Sequence, residues 1–203
     1  SFFLFFFVWV INAFNFMDGV DGLAVTGGIF FSISSGLVLL TISQNNFSVV
    51  IILIALASCL LPFLVANWPP SKVFMGDSGS IFLGYIFAGL ISYTSFKGTI
   101  SIWTWITLLG YFFSDTTVTQ ILRPLLVKEW YKPHRSHSYQ NLARIYNSHL
   151  KVTGTVVVLN VVWFLPLALL TNFFQNFAPT ICLISILPTL IISIKYGPLF
   201  SSD

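Results

Sequence analysis

Charge is what this chain has least of. Only 7% of its 203 residues are Asp, Glu, Lys or Arg, where about a quarter is usual for a soluble domain. With 56% hydrophobic residues, 22 Phe and a mean hydropathy of +0.90, that scarcity excludes a water-soluble globule and indicates an integral membrane protein. Cysteine is almost absent as well. Cys59 and Cys182 both fall inside apolar stretches without ligand-like spacing, so they read as packing residues and give no disulfide framework. His134 and His137 are three apart, but no third His or Cys lies near them to complete a zinc site. There is no internal repeat, low-complexity tract or linker, so residues 1–203 read as a single membrane domain.

Apolar runs of bilayer-crossing length occur near 24–43, 47–66, 80–96, 100–118, 152–171 and 177–195, after a shorter run at 2–11. The expected fold is an all-α polytopic transmembrane bundle with about six full spans and a truncated first one. The chain begins at Ser1 directly in Phe-rich sequence, and no basic segment or small-residue cleavage site marks a signal peptide. It is expected to be the C-terminal portion of a longer protein. If each full run crosses once, residues 12–23, 67–79, 119–151 and the C-terminus share one side. Lys72, Arg123, Lys128, Lys132, Arg135, Arg144, Lys151 and Lys195 lie there, against Lys97 alone on the other. That bias makes the shared side cytoplasmic. These cations also suit contact with membrane lipid headgroups.

The few acids are placed unusually. Asp18, Asp21, Asp77 and Asp115, four of the six, stand at the ends of apolar runs, where a carboxylate needs a partner, a metal or water. Asn12, Asn15 and Asp18 are spaced by three, which makes one polar edge at a helix end. Gly19 and Gly22 then free Asp21 to enter a loop; the plainer reading is a set of cap and turn residues. Residues 67–80 join Asn67 and a rigid Trp-Pro-Pro segment to Gly-Asp77-Ser78-Gly-Ser. Small residues around one carboxylate at a helix start let phosphate oxygens and a hard cation approach the backbone, although Asp77 could simply cap its helix. The 128–144 loop mixes cations, imidazoles and aromatics. There Arg135 could clamp a diphosphate, with His134 and His137 donating hydrogen bonds or exchanging protons. Asp115 reads as a structural partner for Arg123 or Arg135, and His149 as an interfacial residue. Together these features describe a site for a divalent cation and a phosphorylated ligand at a membrane surface.

The 12–24 segment, the 67–80 segment and His134-Arg135-Ser136-His137, in this order and with these spans between them, resemble the polyprenyl-phosphate N-acetylhexosamine-1-phosphate transferases. The His-Arg-Ser-His-Ser-Tyr-Gln form looks most like the O-antigen and polysaccharide-initiating branch of that family. The resemblance implies that Asp77 and Asn15 bind Mg²⁺, with Mn²⁺ as an alternative, and that Asp18 and Asp21 position the nucleotide diphosphate. Asn12, Asn67 and Ser78 would contact substrate, while Arg135, His134 and His137 would hold the pyrophosphate. It implies a UDP-N-acetyl sugar and undecaprenyl phosphate as substrates and UMP as product, at a bacterial inner membrane, with no nucleic-acid partner and a homodimer left open. An adjacent aspartate pair that the family carries in an earlier loop is not in this sequence, so the chain is expected to be inactive alone. A transporter and a non-catalytic remnant stand as the rival readings.

Overall fold

The computed structural model describes residues 2–42, 46–126, 128, 131 and 135–200, with only the backbone of residues 2 and 3. All regular structure among them is helical: α1 (Phe2–Met17), α2 (Leu23–Ile42), α3 (Phe47–Asn67), α4 (Gly76–Phe96), α5 (Ile102–Leu126), α6 (Ser138–Tyr146), α7 (His149–Leu159), α8 (Leu165–Phe173) and α9 (Ala178–Tyr196). A π turn, Asn160–Phe164, joins α7 to α8, so that His149–Phe173 runs as one helical segment. Pro166, just beyond the turn, has no N–H for the preceding turn, and the wider π geometry accommodates the missing bond.

Among the described residues, five helices are long and apolar enough to cross a bilayer: α2, α3, α4, the 149–173 segment and the segment ending in α9. The sixth expected span, 100–118, is present as α5. It runs on to Leu126 and carries hydroxyls, Asp115 and Arg123. It tolerates them because protein surrounds it. Most of its length is buried, Thr107 and Ser114 return hydrogen bonds to carbonyls one turn back, and Ser114 Oγ lies 2.7 Å from Thr189 Oγ1 of α9.

The short expected run 2–11 is the first part of α1, which packs most extensively on α4. Gly84 makes that closeness feasible: a Cβ there would meet Ile11 Cα at 2.8 Å. Phe14, Phe31, Phe87 and Phe112 come from α1, α2, α4 and α5 and meet at centroid distances of 5.1 to 5.8 Å, with Phe14 and Phe87 stacked and the other pairs edge-to-face. Such pairs add about 0.5–1.5 kcal/mol each beyond the area they bury. This aromatic knot joins α1, α2, α4 and α5. The C-termini of α1, α3, α5 and α9 and the N-termini of α2, α4 and α7 gather at one end of the bundle, with α6 lying among them.

Candidate active site

The packing of α1 on α4 brings two carboxylates together. The last turn of α1 presents Asn15, and Asp18 follows where the helix ends. Asp18 Oδ2 accepts the Gly76 N–H at 2.9 Å, at the start of α4, and Asp77 stands in the first turn of the same helix. Burial pushes the Asp18 carboxyl up to about 6, and the neighbouring Asp77 charge pushes the same way against the Gly76 hydrogen bond. Among the described residues neither carboxylate has a salt bridge. Asn15, Asp18 and Asp77 line one side of a cavity of about 750 Å³ whose other side includes Gln120, Arg123, His137 and Tyr139.

A buried network sets the far wall. Asp115 is fully buried in α5; His137 Nδ1 lies 2.6 Å from its Oδ2, and the Ser138 N–H donates to its Oδ1 at 2.7 Å. The Ser138 hydroxyl donates to the same oxygen and lies 3.1 Å from the Tyr111 hydroxyl. A carboxylate only accepts, so Nδ1 carries the imidazole proton and the ring orientation is fixed. The ring lies between Phe16 and Tyr139, at centroid distances of 5.1 and 5.4 Å, and the Tyr139 hydroxyl donates to the Phe16 carbonyl. Asp115 is thus a partner, as the sequence suggested, but of a histidine and a serine rather than of an arginine.

Arg135 is exposed and lines a second cavity of about 460 Å³ together with Arg144 and His149. Arg144 donates to the Arg135 carbonyl at 2.7 Å and to Asn141 Oδ1, and Asn141 Nδ2 donates at 2.6 Å to the Tyr196 carbonyl at the end of α9. The Arg135 backbone is therefore tied to the bundle through α6. Gly19 and Gln140 border both cavities. A Cβ on Gly19 would lie 2.8 Å from Gln140 Nε2 and 2.9 Å from the Tyr139 hydroxyl, so a side chain there would wedge the two walls apart.

The remaining expected site residues are placed differently. Asp21 lines neither cavity: its Oδ2 accepts the Ser71 N–H at 3.2 Å, its Oδ1 lies 3.2 Å from His149 Nδ1, and its carbonyl accepts from Thr153 at 2.7 Å. Burial alone would raise its carboxyl, but the Ser71 hydrogen bonds and His149 outweigh that and leave it below the usual value. Asn67 is buried and works as a strut, accepting the Gly22 N–H at 3.0 Å and donating to the Val73 carbonyl at 2.8 Å. Asn12 is half-buried one turn deeper in α1, outside both cavities. Ser78 is exposed in the first turn of α4, and His134 lies outside the described residues. No local pattern marks His149 as a partner for Asp21, because 128 residues separate the two. Arg123 was readable as a cavity residue, since Asp115, Thr119 and Arg123 recur every four residues on one face of α5.

Among the described residues there is no group of three or more His, Cys, Asp or Glu able to hold a metal. Two carboxylates without a salt bridge among the described residues and an amide offer oxygen donors, and burial together with the Asp77 charge raises the Asp18 carboxyl. Such a set fits Mg²⁺, which is commonly held by one or two carboxylates with phosphates and water completing its shell.

A family model for glycosyl transferase family 4 matches residues 1–95. The phospho-N-acetylmuramoyl-pentapeptide-transferase of Streptococcus mutans serotype c is 44% identical over 95 residues, covering 43% of this chain and 26% of that protein. A Bacillus subtilis strain 168 protein named probable undecaprenyl-phosphate N-acetylglucosaminyl 1-phosphate transferase is 33% identical over 147 residues, 70% of this chain and 40% of its own length. The phospho-N-acetylmuramoyl-pentapeptide-transferase of Campylobacter jejuni serotype O:2 is 39% identical over 125 residues, 55% of this chain and 34% of that protein. The chain spans between a quarter and two fifths of the length of these relatives, whose names include both N-acetylmuramoyl-pentapeptide and N-acetylglucosaminyl transferases. Asn15, Asp18 and Asp77 all lie within the matched 95 residues, the segment through which the chain is similar to glycosyl transferase family 4.

Proposed function

We propose that the protein takes part in transfer of an N-acetylhexosamine 1-phosphate from a UDP-sugar to undecaprenyl phosphate, releasing UMP, as a first membrane step in cell-surface polysaccharide synthesis. The observation that carries the reading is the pairing of Asp18 with Asp77 beside Asn15, in a cavity at one end of a membrane bundle that Arg123 and His137 also line. In the transfer an oxygen of the lipid phosphate attacks the sugar-bearing phosphorus, and the bond from that phosphorus to the UMP oxygen breaks. Such chemistry rests on positioning and charge neutralisation.

Asn15, Asp18 and Asp77 would hold Mg²⁺, which would offset the negative charge of the diphosphate and of the departing UMP. Arg123 brings positive charge to the opposite wall of the cavity, and Arg135, in the adjoining cavity, can clamp phosphate oxygens bidentately. Asp115 holds His137 in one orientation with its proton on Nδ1. The basic bias of the end that carries the site supports a cytoplasmic face, where soluble nucleotide sugars are available.

The test is UMP release in lipid from UDP-N-acetyl sugars, undecaprenyl phosphate and Mg²⁺, with the chain assayed alone and with any part encoded upstream. Metal-dependent release that Asp77→Asn abolishes is the expected result. Release insensitive to Mg²⁺ and to that substitution would overturn the proposal.

A further inference from the structure

A third cavity, of about 900 Å³, opens among α6, α7 and α9 and shares no residue with either cavity of the candidate active site. Its wall is almost wholly apolar, with Leu142 and Tyr146 from α6, Val158 and Trp163 along the 149–173 segment and Tyr196 from α9. Lys151 borders it at the end of the bundle that carries the charged residues. Lys195 is not a lining residue but lies beside one, its Nζ 5.2 Å from the ring centre of Tyr196. Both lysines are exposed.

Length and chemistry together define an occupant. From Lys151 to Trp163 the helical segment rises about 18 Å at 1.5 Å per residue. One leaflet is about half of a hydrocarbon core roughly 30 Å thick. The groove therefore runs about one leaflet deep from a cationic mouth. Gly154 hollows its wall: a Cβ there would meet nothing within 4 Å. α6 separates the groove from the carboxylate cavity, presenting Tyr139 and Gln140 to the cavity and Leu142 and Tyr146 to the groove.

We propose that this groove is a binding site for one anionic phospholipid of the leaflet on the side of the candidate active site, with acyl chain along α7 and headgroup phosphate on Lys151 and Lys195. The lipid is a resident of the fold rather than the acceptor, because a phosphate at the two lysines lies across α6 from Asp18 and Asp77. The inference needs only the membrane fold and stands apart from the transferase reading.

Native mass spectrometry of the protein, released from phosphatidylcholine nanodiscs and titrated with phosphatidylglycerol, tests it. One tightly held phosphatidylglycerol is expected. Lys151→Gln and Lys195→Gln should each weaken it about fivefold, from the attraction of a surface lysine for anionic lipid. Gly154→Leu, whose Cβ would enter open space in the hollow, should weaken it at least tenfold while leaving Tm in phosphatidylcholine unchanged. Equal phosphatidylglycerol retention by the wild type and both lysine variants would overturn the proposal. So would stoichiometric displacement by undecaprenyl phosphate, which would give the groove to the acceptor chain.

Discussion

Asp18 and Asp77 face one another in a cavity with no salt bridge to either among the described residues, whereas Asp21 and Asp115 are each held by a histidine and a serine. All four are aspartates near the ends of the apolar runs expected from the sequence, so residue type and position along the chain do not separate them. Partners do. A carboxylate paired with imidazole and hydroxyl or amide donors has its charge answered and serves to join elements: Asp21 links the turn after α1 to the 68–75 loop and to α7, and Asp115 links α5 to α6. A carboxylate opposite another keeps charge to spare, and that is what a cation can use.

Replacing a member of each pair should therefore have opposite signatures. The largest effect is expected from Asp77→Asn, which should cut Mg²⁺-dependent UMP release by about a thousandfold or more, since a metal supplies several kcal/mol to such a transition state; Tm should barely move, because the residue is exposed. Asp115→Ala should do the reverse, lowering unfolding stability in detergent by about 3–5 kcal/mol, because it removes the buried carboxylate that joins His137 and Ser138 to α5.

A smaller effect separates the pairs by pH. With the Asp18 carboxyl at about 6, a divalent cation must displace its proton below that pH, so Mn²⁺ affinity should fall about fivefold between pH 6 and 5 and change little above pH 7. In the metal-free protein the same raised carboxyl favours the protonated form. Its contribution to stability should decline as pH rises from about 4 to about 6, and thermal melts at fixed ionic strength check this. Asp21→Asn is expected to cost least, about 1 kcal/mol or less in the same melts, because its ion pair with His149 is partly exposed. Since the Asp21 carboxyl is lowered, its stabilisation should be present above about pH 4 and vanish only on further acidification.

The membrane helices were legible because apolar length is a local property. The runs read at 24–43 and 47–66 became Leu23–Ile42 and Phe47–Asn67, and even the polar α5 was found from its first half. The expected loop 128–144 runs into α6 at Ser138–Tyr146, since a nine-residue amphipathic helix has no apolar run to betray it. In the site, the spacing of Asn15 and Asp18 and the turn before Asp77 marked two segments, and the structure brings them together. What the chain did not disclose are contacts across long separations: His149 on Asp21, and Ser138 and His137 on Asp115 in place of an arginine. Those depend on helix packing, which no local pattern encodes.

Mn²⁺ binding, followed by electron paramagnetic resonance at pH 7.5 with UMP present, should be compared across Asp18→Asn, Asp77→Asn, Asp21→Asn and Asp115→Asn. The account predicts one bound ion in the unaltered protein, lost in the Asp18 and Asp77 variants and retained in the folded fraction of the other two. Loss in the Asp21 or Asp115 variants with retention in the Asp77 variant would contradict it.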